Sequence, residues 1–240
     1  MTSQVRLYVD SSLSEGQKVI LNEKQHHYLY HVMRLQEGED LLLFNGRDGE
    51  WLAEILTLNK KQAILSVQNQ TRQQDDENIP DVWLCFAPIK KDCMDIVIEK
   101  ATELGVSRLV PVITQRTVVS KVSIEKMLLR LIEAAEQCKR LSVPKIEEAC
   151  LLNDFLANFP KDRTLFFMNE REKGETLQAP ERPVAFLIGP EGGFSQEEIQ
   201  KVSSFPFVKN IHFGRRILRA ETASIAVLAA WNQVIGWKDK

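Results

Sequence analysis

From residue 82 onward the chain alternates short apolar runs with segments of helical periodicity, and this alternation restricts the fold more than any other feature. "VWLCFAP" (82–88), "RLVPVIT" (108–114), "TLFFM" (164–168), "VAFLIG" (184–189) and "NIHFG" (210–214) are too short for helices. Runs of this kind suit strands covered on both faces. Between the first two, Cys93 or Met94, Val97, Ile98, Ala101 and Leu104 recur at helical spacing, and Gly105 stands at the expected C-cap. Ile124, Met127, Leu128, Leu131, Ala135 and Cys138 mark a second helix, ended before Pro144. A third spans Ser195 to Ser204. The last, "ETASIAVLAAWNQVIGW" (221–237), is apolar on nearly every face, which predicts deep burial. The alternation predicts an α/β fold class with a mostly parallel sheet.

The first seventy residues follow another rhythm. "VRLYV" (5–9), "KVIL" (18–21), "DLLLF" (40–44), "WLAEILTL" (51–58) and "AILSV" (63–67) are brief strand-like runs, several separated by "SEG", "EGED" and "NGRDG". One helical segment near Lys24 to Arg34 interrupts them, so a small β-barrel is expected. "TRQQDDENIP" (71–80) is polar and reads as a linker. The predicted division is a barrel over 1–72, a linker over 73–80 and an α/β domain over 81–240.

Composition excludes several classes. No apolar run reaches the ~18 residues of a membrane span. "MTSQVRLYVDSS" lacks the apolar region of a secretory signal. An intracellular, cytoplasmic protein is expected. Cys85, Cys93, Cys138 and Cys150 form no CxxC pair and read as buried free thiols. His27 and His31 are four apart on the helical segment, but without HExxH they give no metal site. The net charge of −2 offers no global attraction for nucleic acid. The distribution says more: Lys209, Arg215, Arg216 and Arg219 lie in one acid-free stretch, and Lys90 and Lys91 are adjacent.

Ligands of open parallel sheets sit at the carboxyl ends of strands, where two unusual loops fall. "GPEGG" lacks the lysine of a Walker loop and the spacing of a dinucleotide fingerprint, and Glu191 opposes polyphosphate. Its glycines permit close approach of a flat group to the backbone. Ser195 and Glu198 form a capping box for the next helix. In the second loop, "GRRILRAET", Thr222 is a plausible N-cap and Glu221 is favoured by the helix dipole. His212 is read as a core residue within its strand.

"IGPEGGFSQEE" with "FGRRILRAETA" resembles the ribosomal RNA small subunit methyltransferase E family of the SPOUT class. "KKDCMDIVIEKATELGVSRLVPVITQRTV" (90–118), "RLIEAAEQCKR" (130–140) and "HHYLYHVMRLQEGEDLLLFNGRDGEW" (26–51) extend the resemblance over nearly the whole chain. The resemblance implies a PUA-like RNA-binding barrel followed by a trefoil-knotted domain with helices on both faces of its sheet. It also implies a homodimer that uses S-adenosylmethionine to methylate N3 of one uridine in the 16S rRNA of the small ribosomal subunit. Carried onto this sequence, the cofactor is expected against Leu187, Ile188, Gly189, Pro190, Glu191, Gly192, Gly193, Phe213, Gly214, Ile217, Leu218, Thr222 and Ala223. Phe167 and Met168 form a third wall. Arg219 and Glu221 are the catalytic candidates: Arg219 to hold the uridine or favour its deprotonation, Glu221 to orient Arg219 or accept a proton. Arg6, Lys90, Lys91, Arg116, Arg140 and Arg215 are candidate RNA contacts. No metal is expected. A base-paired imide is reached only when the base is unpaired or flipped. An RNA-binding module without catalysis, and a nucleotide-dependent enzyme, are the competing readings.

Overall fold

A computed structural model describes residues 4–119, 121–169, 175–178 and 182–235. The chain divides into two units, Met1–Asn78 with Ala135–Val143 and Ile79–Ala134 with Pro144–Lys240.

The first unit contains β1 (Arg6–Tyr8), β2 (Lys18–Ile20), α1 (Glu23–His27), which continues as a π turn (Tyr28–Met33), β3 (Asp40–Phe44), β4 (Glu50–Leu58) and β5 (Ala63–Arg72). Its mixed sheet is a half-barrel of order β1-β3-β4-β5-β2, with only β1 and β3 parallel. Alternation sets the inward face: Leu41 and Leu43 on β3, Ala53 and Ile55 on β4, and Leu65 and Val67 on β5 are buried together. Register shifts in the β4–β5 ladder interrupt its regular pairing. Asn22 caps α1 by accepting from the Gln25 amide, while the Gln25 side chain accepts from Asn22.

Two expectations change here. The stretch over 73–78 is not a free linker. Gln74–Asp76 form a 3-10 turn, and the Glu77 carboxylate accepts from the Leu141 amide at 2.8 Å. Nor are Arg6 and Arg140 surface cations. Arg6 is 7% exposed; it pairs with Glu50 at 2.6 Å and donates to the carbonyls of Ala135, Glu136 and Arg140. Its guanidinium also lies over the Phe44 ring. Arg140 is buried beside Glu77, where burial works against its charge and Glu77 supports it. Both arginines are engaged inside this unit, where they hold Ala135–Val143 to the half-barrel.

The second unit contains β6 (Val82–Phe86), α2 (Lys91–Glu103), β7 (Arg108–Ile113), α3 (Ile124–Gln137, its last residues counted with the first unit), β8 (Lys145–Ile146), β9 (Cys150–Leu151), α4 (Leu152–Asn158), β10 (Thr164–Met168), β11 (Val184–Ile188), α5 (Gln196–Ser203), β12 (Val208–Ile211) and α6 (Ala220–Ile235). The sheet runs β12-β10-β11-β6-β7-β8, β9 also pairs with β7, and every one of these pairs is parallel. Successive β10 residues point to opposite faces. Leu165 and Phe167 join Phe155 of α4 and Ile199 and Val202 of α5, whereas Phe166 stacks on Phe186 and meets Trp231 of α6. Helices therefore cover both faces. Gly105 ends α2 at φ +84, as expected of a C-cap glycine.

The last helix departs from expectation. Its buried residues (Ala220, Ala223, Ser224, Val227, Leu228, Trp231, Asn232) follow 3–4 spacing, while Val234 is 40% exposed. One face is covered, not all. The predicted residues 236 and 237 lie outside the described residues. Among the described residues no helix is long and apolar enough to cross a membrane.

Candidate active site

The adjacent strands β12, β10 and β11 end at Ile211, Met168 and Ile188, and these three residues form the floor of a pocket of about 550 Å³. The loop after β11, the loop after β12, the first turn of α6 and the start of α2 surround it. It lies where a parallel sheet is expected to bind ligand.

Each glycine of the first loop has a separate task. Gly193 adopts φ +65, and its amide closes a turn on the Pro190 carbonyl at 2.8 Å. A Cβ on Gly189 would come within 2.6 Å of the Phe194 ring, which packs edge-on against Phe167. The Gly192 carbonyl accepts from Arg116 at 2.9 Å. The capping box of Ser195 and Glu198 forms as predicted, and the second Glu198 oxygen accepts from the Gln115 amide, tying the 114–117 turn to this loop. These residues hold the loop rigid, so its backbone can serve as a wall.

The second loop leaves β12 at Ile211. His212 therefore sits beyond the strand, exposed and lining the pocket, not in the core. Gly214 takes φ +74. α6 begins at Ala220, and the Ala223 amide donates to the Arg219 carbonyl at 2.8 Å. Thr222 is thus inside the helix and exposed, and is no N-cap.

The pocket gathers Met168, Ile188, Gly189, Pro190, Glu191, Gly193, Phe213, Gly214, Ile217, Leu218, Arg219, Glu221 and Ala223 from the predicted set. Gly192 and Thr222 lie off its wall. Phe167 and Leu187 are fully buried in the core below, because alternate strand residues face the other side. Of the predicted RNA contacts, Lys90 lines the pocket, Lys91 and Arg215 are exposed, and Arg116 is exposed while holding Gly192.

The pocket residues that the sequence reading did not single out include Cys93, Asn169 and His212. Cys93 was expected in the core, yet only Cys85 of the four cysteines is fully buried. Desolvation pushes the Cys93 thiol up; Glu221 and Glu191 add to this, and Arg219 opposes it. The group stays a neutral thiol and is no nucleophile at neutral pH. Its position on the turn after "KK" was the available signal. Lys90, Arg216 and Arg219 line the pocket together with Glu191 and Glu221. This mixed lining suits a ligand carrying both charges better than a polyphosphate.

Comparison with known proteins agrees. The model of an RNA methyltransferase domain matches residues 76–232, and that of an RNA methyltransferase PUA domain matches residues 21–68. Ribosomal RNA small subunit methyltransferase E of Rickettsia conorii is 35% identical over 231 residues, 93% of each chain. The chain belongs to the ribosomal RNA small subunit methyltransferase E family. Two solved structures similar to this chain hold S-adenosylmethionine. The enzyme of Neisseria gonorrhoeae is 28% identical, with 96% and 98% of the chains covered and a TM-score of 0.85. A methyltransferase of Legionella pneumophila is 31% identical, with 97% and 98% covered and a TM-score of 0.86. Like its family, the chain is an rRNA methyltransferase with a PUA-like unit and a SPOUT-type parallel sheet.

Proposed function

We propose that the pocket binds S-adenosylmethionine and that the chain methylates N3 of one uridine in 16S rRNA, as a cytoplasmic homodimer whose second unit is knotted. The observation that carries this reading is the pocket itself: two loops line it together with three strand ends, and its lining includes three cations and two carboxylates. The floor and loop backbones fit a nucleoside. Glu191 and Glu221 fit an ammonium or ribose hydroxyls, and Lys90 or Arg216 a carboxylate.

When bound, the cofactor supplies an electrophilic methyl on a sulfonium. The chain's share is positioning, which can supply much of such a rate. Arg219 stands at the rim, where its charge favours an anionic uracil over the neutral imide. Glu221 follows two residues later, with Cys93 beside it, and is placed to orient Arg219 or accept the N3 proton. His212 is a second candidate acceptor at the rim. Lys91 and Arg215 offer charge to the RNA backbone outside.

Incubating purified chain with labelled cofactor and 16S rRNA or small subunits, then mapping products by mass spectrometry, tests the reading. One N3-methyluridine is expected. A ribose 2′-O-methyl or guanine product overturns the assignment of the target atom. Transfer to neither substrate, with no calorimetric heat from the cofactor, would leave only an RNA-binding module.

A further inference from the structure

On the first unit, α1, the π turn and the turn between β4 and β5 surround a shallow recess whose lining holds one carboxylate, Glu23. Lys24, Lys60 and Lys61 line it with Glu23, and so do His26, His27 and His31, three of the chain's four histidines. The lysines and the latter two histidines are exposed. Among the described residues no ion pair engages these lysines. No group of histidines, cysteines or acids there is arranged to hold a metal. Three lysines against one glutamate leave the recess positive.

The rings are arranged as well as charged. His27 and His31 lie 4.8 Å apart with an interplanar angle of 38°, and Tyr30 meets His31 edge-on at 4.8 Å. The His26 ring nitrogen is 2.7 Å from the Asn59 carbonyl, linking α1 to the turn that carries Lys60 and Lys61. Exposed planar rings among cations suit a nucleic acid better than a simple anion, because bases stack while phosphates pair.

We propose that this recess grips the RNA substrate, the lysines Lys24, Lys60 and Lys61 pairing with its phosphates beside the exposed His27 and His31 rings. The inference rests on the rRNA-methylating function above and assigns a face of the PUA-like unit to it.

The test is fluorescence anisotropy of a labelled 16S rRNA fragment with the full chain, between about 50 and 200 mM salt. The Lys60→Ala/Lys61→Ala double variant is compared with wild type. Cofactor titration by calorimetry serves as the control in the other unit. The variant is expected to bind roughly tenfold more weakly, with its salt slope reduced by about 1.4 to 1.8 and cofactor affinity unchanged. Wild-type affinity and slope in the variant overturn the proposal. If the variant behaves as wild type while methylation proceeds, this inference alone falls. If wild type binds neither RNA nor cofactor, the function falls with it.

Discussion

Arg219 stands just before α6, with its carbonyl engaged by Ala223 and its side chain at the pocket rim. Arg219→Ala keeps the backbone bond and removes the cation alone. Loss of one preorganised charge-stabilising group costs about 10²–10³ in turnover. Single-turnover methylation is expected to fall by that factor, with the cofactor Kd within a few-fold of wild type; equal losses in both would reduce Arg219 to a binding residue. Arginine also marks where residue-level reading from sequence ends. Arg219 announces itself through a glycine loop and a carboxylate two residues on. Arg6 and Arg140 look equally cationic in the sequence, yet are buried. The acceptors that permit Arg6's burial, Glu50 and the carbonyls of 135, 136 and 140, lie 44 to 134 residues away. No local pattern encodes such a partner. The glycines carry a packing demand that the sequence did not reveal: a Cβ on Gly189 would meet the Phe194 ring.

The "NGRDG" turn between β3 and β4 shows what an element demands of its residues. Asn45 accepts from the amides of Arg47 and Asp48, while the Asp48 carboxylate accepts from the Leu13 amide and the Asn45 side chain. Gly46 and Gly49 both sit at φ +77. A Cβ on Gly46 meets only ordinary contacts; one on Gly49 would collide with the Arg72 carbonyl. Both alanine variants bear the left-handed cost of about 1–2 kcal/mol. Gly49→Ala is expected to lose about a further 1–3 kcal/mol by overpacking, read as the difference between the two denaturation midpoints. The hydrogen bond from Asn45, then that from Leu13, holds the Asp48 carboxyl below the usual range. A depressed folded value means the contribution is present above the unfolded value of about 3.9 and is lost as pH falls through the lower folded one. In acid titrations followed by circular dichroism, Asp48→Asn is expected to flatten stability against pH in that window. Strands of this fold were legible because coverage on two faces leaves continuous apolar runs. The region 145–158 was not: β8 and β9 have two residues each and α4 has seven, too few for a period to appear.

At the scale of the molecule, the first unit is discontinuous in sequence. A fragment ending at Asn78 would lack three carbonyl acceptors of Arg6, leaving its guanidinium with Glu50 alone of these hydrogen-bond partners, and Glu77 would lose the Leu141 amide. Breaking a buried charged network costs about 3–5 kcal/mol, a large share of a small domain's stability. The 1–78 fragment is expected to give poor amide dispersion by NMR, restored by adding a 135–143 peptide; a well-folded fragment alone would show that the network is dispensable. Sequence placed the change of architecture near residue 80 because periodicity changes there, but the return of the chain at 135 carries no such change, since α3 simply continues. That return has a temporal consequence. Domains tend to fold as they emerge, at about 5–20 residues per second. The segment that completes the N-terminal unit follows Asn78 by 65 residues at its far end, so the nascent half-barrel waits about 3 to 13 seconds for its last piece. The part made first is not the part finished first.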